Sequence, residues 1–263
     1  MNFKNHSCKQ SRKFQLTTLA SLLLFLFLIP STKADNVIAT GTTLKVTSGT
    51  SFVSVENLVI KSGATLDNAG TLIMKKNLTN ETVSPNTIGT GTADFSGTTN
   101  QTINGQNIIA NLTVNNATGV TIGGNTSVNG TLTLTTGNVT LGSNNLLLGP
   151  SAAISGTPSA LVMIIVTGTG ELRKEFAAGF TGIFVYPVGD DTGTPEYSPV
   201  TVNITEGTFV AGNYVGVNLV NAVYPDPNIT GNYLNRYWNI TQSVITGLTC
   251  NATFQYLLAD VTG

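Results

Sequence analysis

The sequence predicts an all-β protein with an N-terminal β-solenoid of the β-helix type, followed by a C-terminal antiparallel β-sandwich. Thr, Val, Asn and Gly dominate, and these residue types favour strands and turns over helices. Short alternating apolar pieces recur in the first half at steps of about 7 or 8 residues. Near Pro150 to Pro158 the pattern changes, and the predicted strands after it are longer and contain more aromatic and charged residues.

The short strands of the first half predict a solenoid over residues 35–158. Strands of about three or four residues are too short for a sandwich core, but each can form one side of a coil that stacks on the next. The segment "NLVIKSGATLDNAGTLIMKKNLT" from Asn57 resembles "NLTVNNATGVTIGGNTSVNGTLTL" from Asn111, which indicates a ragged internal repeat. Two unrelated meanders of similar composition remain the alternative.

A long uncharged stretch fits this architecture, because every residue between Asp94 and Glu171 is neutral. In a solenoid, similar side chains stack on one another from coil to coil, so charged residues of the same sign would repel along each stack. Stacked Thr and Asn can instead hydrogen-bond to neighbours and to turn backbone. The most hydrophobic window of the mature chain, Leu161 to Val166, is expected to be buried, since uncharged strand-forming segments aggregate when exposed.

The predicted sandwich covers residues 159–263, with seven strands and turn signals between them. The sequence stops at Gly263 directly after a predicted strand. We therefore expect this module to be truncated.

The first 34 residues have the pattern of a secretory signal peptide. A basic segment with Lys4 and Arg12 precedes an apolar segment from Leu16 to Ile29, and Ala34 ends a small-residue cleavage site. The apolar segment is shorter than the roughly 20 residues of a membrane span. We expect secretion or cell-surface display, with no membrane span after cleavage.

Cleavage at Ala34 makes the chain acidic and removes most of its reactive side chains. Five of the 12 basic residues and none of the 13 acidic ones leave, so the mature charge is −6. This balance excludes the basic footprint of a nucleic-acid binder. The only histidine, His6, leaves as well, and Cys250 is then the single cysteine, which we expect to be a buried core residue.

Catalytic constellations are poorly supplied, and the sequence predicts no enzyme. Without histidine, Ser-His-Asp and Cys-His mechanisms and zinc sites are excluded. Carboxylate chemistry is the remaining route, but the acids of the predicted solenoid are scattered near its start, at Glu56, Asp67, Glu81 and Asp94. No pair recurs at coil spacing. We predict no cofactor, apart from a calcium alternative.

That alternative rests on the acidic loop "VGDDTGTPEYSP". Asp190, Asp191 and Glu196 lie in one Gly- and Pro-rich loop, and clustered carboxylate oxygens can hold a calcium ion. A solvated hairpin loop whose Asp side chains cap turns is the competing interpretation, and we prefer it.

In "GELRKEF", strand alternation places Glu171, Arg173 and Glu175 on one face and Leu172, Lys174 and Phe176 on the other. The charged face predicts cross-strand ion pairing on an exposed surface.

A candidate sugar site lies in "NYLNRYWNI". Strand alternation places Tyr233, Asn235, Tyr237 and Asn239 on one face and Trp238 on the other. Aromatic rings flanked by amides can stack pyranose rings. Cross-strand tyrosine pairs that stabilise the sheet are the alternative.

The segments "GTGELRKEFAAGFTGIFVYPVGDDTGTPEYSPVTVNIT" and "NYLNRYWNIT" resemble parts of large secreted surface proteins of Bacteroidota, exported by type IX secretion. The resemblance covers about residues 98–263 and implies a β-helical or filamentous stretch before a β-sandwich module. Such proteins often end in a sorting domain, and we expect none within residues 98–263. The resemblance implies no active-site residues.

These observations together predict a secreted, non-enzymatic bacterial surface or extracellular protein with a structural or adhesin-like role. Expected partners are polysaccharides or other surface proteins. A carbohydrate-binding module of a larger secreted protein is the first alternative, and a β-helical polysaccharide-degrading enzyme is the second.

Overall fold

The computed structural model describes residues 33–226 and 231–263, and Asp35–Gly263 form one compact unit. The predicted signal peptide, residues 1–34, lies almost wholly outside the described residues. Within them the fold is all-β, with a solenoid of about seven turns and a single 3-10 turn at Leu258–Asp260. The described part holds no helix long and apolar enough to cross a membrane.

Strands of three or four residues, with two longer ones at β8 and β10, form the first four coils and confirm the predicted solenoid. In chain order they are β1 (Asn36–Ile38), β2 (Thr43–Val46), β3 (Ser51–Ser54), β4 (Leu58–Ile60), β5 (Thr65–Asn68), β6 (Thr71–Met74), β7 (Leu78–Asn80), β8 (Asn86–Phe95), β9 (Gln101–Asn104) and β10 (Asn107–Asn115). These strands pair in parallel from one coil to the next, except that β5 pairs with β2 of the preceding coil and with no strand of the following one.

The later coils continue the same stacks and then change direction. Their strands are β11 (Val120–Gly123), β12 (Thr126–Val128), β13 (Thr131–Thr136), β14 (Val139–Thr140), β15 (Leu146–Leu148), β16 (Ala153–Gly156), β17 (Ile164–Ile165), β18 (Leu172–Lys174), β19 (Gly182–Tyr186), β20 (Val188–Asp190) and β21 (Glu196–Tyr197). The last strands are β22 (Val200–Val220), β23 (Tyr233–Leu234), β24 (Tyr237–Phe254) and β25 (Val261–Thr262).

The core is a set of apolar ladders inside the coils. On one face the in-register residues are Leu72, Ala93, Leu112 and Leu132, all fully buried. Successive side chains of a strand point to opposite faces, so each short strand contributes one or two such residues. Tight coils also need glycine: at Gly137, φ is 81° and a Cβ would collide with the carbonyl of Asn116.

Asparagine side chains connect consecutive coils at the turns. The Oδ1 atom of Asn125 accepts a hydrogen bond from the Asn145 amide at 2.8 Å, and Asn145 Oδ1 accepts one from the Glu171 amide at 2.9 Å. Asn57 and Asn77 repeat this arrangement, accepting from the amides of Asn77 and Thr102. The neutral Asn-rich composition therefore satisfies backbone donors between coils.

The predicted C-terminal sandwich is not confirmed. β17, β18 and β20 continue the parallel stacks of the coils, and the long strand β22 joins the same sheet by pairing antiparallel with β18 and β19. β24 pairs with β22 as the second arm of a long hairpin, and β23 and β25 form only a small two-stranded sheet. The division into residues 35–158 and 159–263 stays a prediction, and coil ladders run across it.

Two burial predictions need correction. Met163 to Val166 are buried as expected, but Leu161 is 70% exposed because it lies in a loop closed by the Ser159–Val162 bridge. Cys250 is exposed, not a core residue. It lies in the far half of β24, beyond Ile245, where both faces of the strand are mostly open to solvent.

Candidate functional site

The four residues of the predicted sugar site are separated by a strand break, with Tyr233 in one sheet, Tyr237 and Asn239 in another, and Asn235 in the bend between them. The strand breaks between Leu234 and Tyr237, so Tyr233 pairs with Thr262 of β25, whereas Tyr237 pairs with Val220 of β22. The predicted continuous alternation is therefore wrong at this break.

The two amides of this set have different partners. Asn235 lies beside β25 and accepts a hydrogen bond from Thr262 Oγ1 at 3.1 Å. Asn239 lies opposite Asn218 of β22 and donates to its Oδ1 atom over 3.4 Å. The sugar site stays a prediction, with its residues arranged as two pairs.

The second pair lies next to an aromatic groove that the sequence did not indicate. The ring of Tyr237 meets that of the exposed Tyr224 edge to face, with centroids 5.2 Å apart. Asn239 lines the groove together with Tyr224, Trp238, Glu171 and Thr241. The groove thus combines aromatic ring surface with amide, hydroxyl and carboxylate groups.

Trp238, which lines this groove, is held in place by two contacts. Its Nε1 atom donates to the Ser198 carbonyl at 3.1 Å, and its ring packs on Phe254 with centroids 5.1 Å apart. The side chain is half-buried. The groove therefore has a positioned aromatic wall.

The predicted acidic loop is joined to Arg236. Asp190 Oδ2 lies 3.0 Å from Arg236 Nη1, and Glu196 forms an ion pair with Nη2 of the same guanidinium. Asp260 of the C-terminal 3-10 turn lies 2.6 Å from Nη2, and Ser198 Oγ accepts from Nη1 at 2.7 Å. The arginine cluster, defined as Arg236 with Asp190, Glu196, Asp260 and Ser198, ties three distant segments together.

This cluster is buried and electrostatically unbalanced. Arg236 and Asp190 have side-chain exposures of 1% and 0%, and one guanidinium faces three carboxylates. Burial raises the pKa of Asp190, an effect that the Thr192 amide and Arg236 oppose and that Asp191 and Asp260 strengthen. The stability of these buried carboxylates therefore depends strongly on Arg236.

The calcium hypothesis therefore meets competition at two of its three ligands. Asp190 and Glu196 point to Arg236, and Asp191 is exposed. Across residues 33–226 and 231–263, no group of three or more His, Cys, Asp or Glu could hold a metal ion. Calcium binding stays a prediction.

The predicted cross-strand ion pairing on an exposed surface of "GELRKEF" is wrong, because the ion pair joins two residues of the same segment and Glu171 is buried. Arg173 Nε lies 2.7 Å from Glu171 Oε2, and the guanidinium stacks 4.3 Å above the ring centroid of Tyr214. The opposite side buries Leu172, Lys174 and Phe176. Strand alternation predicted which residues share each side, but it did not predict that Lys174 would be buried. The position of Lys174 between the inward-facing Leu172 and Phe176 was the feature of the sequence that could have indicated this.

Comparison with protein-family models, with curated proteins and with solved structures gave no match.

Proposed function

We propose that the mature chain is a secreted, non-enzymatic bacterial surface or extracellular protein with a structural or adhesin-like role. The observation that carries the proposal is the continuous stack of parallel coils, whose buried ladders and Asn hydrogen bonds repeat from one coil to the next. A stack of this kind is rigid along its axis and presents long faces to a partner. Its polar groups serve mostly to connect coils.

The charged residues of the coils support a structural role. Lys45 pairs with Asp67 at 3.0 Å and Lys61 pairs with Glu81 at 2.8 Å, both on the surface and between neighbouring coils. These pairs engage two of the carboxylates that a polysaccharide-degrading enzyme would need, so the enzymatic alternative has less support.

The export part of this proposal is tested with the complete chain expressed in a Gram-negative bacterium. N-terminal sequencing of the exported protein should give Asp35. Recovery of protein that retains Leu16 to Ile29 would contradict export by signal cleavage.

The adhesive part is tested with beads coated with residues 35–263. The beads should adhere to immobilised polysaccharide or bacterial surface protein under flow, and release of new reducing ends from the polysaccharide should stay at background. Beads that adhere to none of the surfaces tested, or that release reducing sugar ends above background, would contradict this role.

A carbohydrate-binding module is the second candidate, and the aromatic groove favours it. Glycan-array binding should weaken in Asn239→Ala and Tyr224→Ala, which alter the groove, and persist in Tyr233→Ala, which lies in the separate β23–β25 sheet. Equal binding by all three variants would locate recognition elsewhere.

A further inference from the structure

One coil stack ends before the others and leaves a cleft. The face that contains β13 and β16 stops at β16, because β16 pairs only with β13, and β19, which follows β17 and β18 along the chain, pairs only with β22. The cleft lies between β16 and β19, with a volume of about 480 Å³. This size is typical of small-molecule sites, which span roughly 300–1,000 Å³.

The walls of this cleft are mainly apolar. One wall comes from the segment around β16 and the other from β19 and its flanks. Their apolar side chains include Ile154, Pro158, Phe180, Ile183, Phe184 and Val185. Ile183 and Val185 are 64% and 43% exposed at the mouth. Apolar side chains left open to water in a concave site favour an apolar ligand.

Lys174 also lines the cleft, and it is the charged group there. The residue is 4% exposed, and its backbone is in register with Leu148, so it occupies a position that apolar residues fill in the preceding coils. Its Nζ atom donates to the carbonyls of Gly149 at 2.6 Å and Pro150 at 2.9 Å. An ammonium has three donors, and these two bonds leave a third.

The charge of Lys174 is not neutralised by an ion pair with any residue that the structure describes. Beyond the two carbonyls, Glu175, the next residue in the chain, acts on it electrostatically, and the ring centroids of Phe176 and Phe184 lie 5.7 Å from Nζ. Burial lowers the pKa of Lys174 to about 8, with Glu175 opposing the shift, so the ammonium is still the main form at neutral pH. A buried cation without a counter-ion is costly, and an anion that reaches it gains correspondingly.

We propose that this cleft binds a small monocarboxylic acid with an apolar tail, whose carboxylate accepts a hydrogen bond from Lys174 Nζ while the tail lies between β16 and β19. The charge selects an anion, and the apolar walls select its tail. This binding site goes beyond the structural role proposed above, and either can hold without the other.

The test is isothermal titration calorimetry of residues 35–263 with octanoate as the probe, and with 1-octanol as an uncharged ligand of the same chain length. Octanoate should bind at least tenfold more tightly than 1-octanol. Equal affinities, or no binding of octanoate at about 1 mM, would overturn the proposal.

Three variants localise the binding. Lys174→Met keeps the side-chain length and suits the apolar ladder, and it should weaken octanoate binding at least tenfold with little effect on 1-octanol. Ala153→Trp, at an exposed position that lines the cleft, should block both ligands. Lys45→Met removes an exposed lysine elsewhere and should change neither.

Near-UV circular dichroism checks the folding of each variant. Undiminished octanoate binding by Lys174→Met would overturn the assignment to this lysine. If Lys174→Met fails to fold, Ala153→Trp still decides: octanoate binding that survives in this variant places the ligand outside the cleft and overturns the proposal.

Discussion

The coil stack and the C-terminal hairpin region are held together in different ways. In the coils, the buried ladder residues and inter-coil Asn bonds repeat, and the ion pairs, such as Lys45–Asp67, lie on the surface. From β18 onward, charged side chains are buried as well. Lys174 lies in the cleft, and Arg236 lies at the centre of the arginine cluster.

The difference follows from repetition. A coil meets a nearly identical neighbour, so one kind of hydrogen bond or apolar contact serves at every level, and losing one leaves the rest. The last coil has no next coil to stack on. The chain there returns as the hairpin β22–β24, and segments distant in sequence are joined by interactions that occur once.

The largest effect is expected from Arg236→Met. Removing the guanidinium leaves Asp190 and Asp260 buried without their cation, which should lower the free energy of unfolding by about 3–5 kcal/mol. Urea denaturation measures it. Lys61→Met, which removes an exposed lysine paired with the exposed Glu81, is the matched control and should cost about 1 kcal/mol or less. Equal losses would show that the cluster has no special role.

A core substitution in the coils should come next. Leu132→Ala removes a fully buried side chain from a ladder and should cost about 2–5 kcal/mol through lost burial and the cavity left behind. Thermal and urea unfolding measure it. Val53→Ala, at a position 48% exposed, is the control. A loss below about 1 kcal/mol for Leu132→Ala would mean that the ladder repacks freely.

Lys174 should make stability depend on pH. Its pKa is lowered from the ordinary 10.5 to about 8, so between these values the unfolded chain binds more protons than the folded one. The free energy of unfolding should therefore rise from pH 8 to 10.5, by at most about 3 kcal/mol, relative to Lys174→Met. Comparing the two proteins cancels the tyrosines, including Tyr186, whose pKa burial raises. Parallel pH profiles would contradict a buried ammonium.

The smallest effect is expected for one inter-coil bond. Asn145→Ala leaves the Glu171 amide without its partner and should cost about 1–3 kcal/mol. Asn129→Ala, at an exposed position, should stay within about 0.5 kcal/mol. Chemical denaturation distinguishes them, and equal values would deny the Asn bonds a structural role.

The solenoid could be predicted because its determinants are local and repeated. Short alternating pieces such as Leu132 with Leu134, separated by Gly and Asn, indicate the coils without knowledge of which strands meet. The same alternation placed Leu172, Lys174 and Phe176 on a single side of the strand, and all three are buried.

The C-terminal region was harder to predict because its contacts join residues that are distant in sequence and meet only when the chain folds back on itself. Arg236 meets Asp190 from 46 residues away and Asp260 from 24 residues away, and no spacing in the sequence specifies either contact. A series of longer strands is as typical of a separate sandwich as of a hairpin that extends the coil sheet. Only the pairing of β22 with β18 shows that the hairpin extends that sheet. The cleft was likewise invisible, since it arises where β16 and β19 fail to pair.

The central claim is that repeated local contacts hold the coils together, whereas a single buried charge cluster holds the C-terminal region. Hydrogen–deuterium exchange of Arg236→Met, followed by mass spectrometry, tests this claim most directly. The claim predicts that protection falls in β20 to β25 while amides of β1 to β10 exchange as slowly as in the unmodified chain. A uniform loss of protection across all coils would contradict it, because the coil stack would then depend on the arginine cluster as a whole.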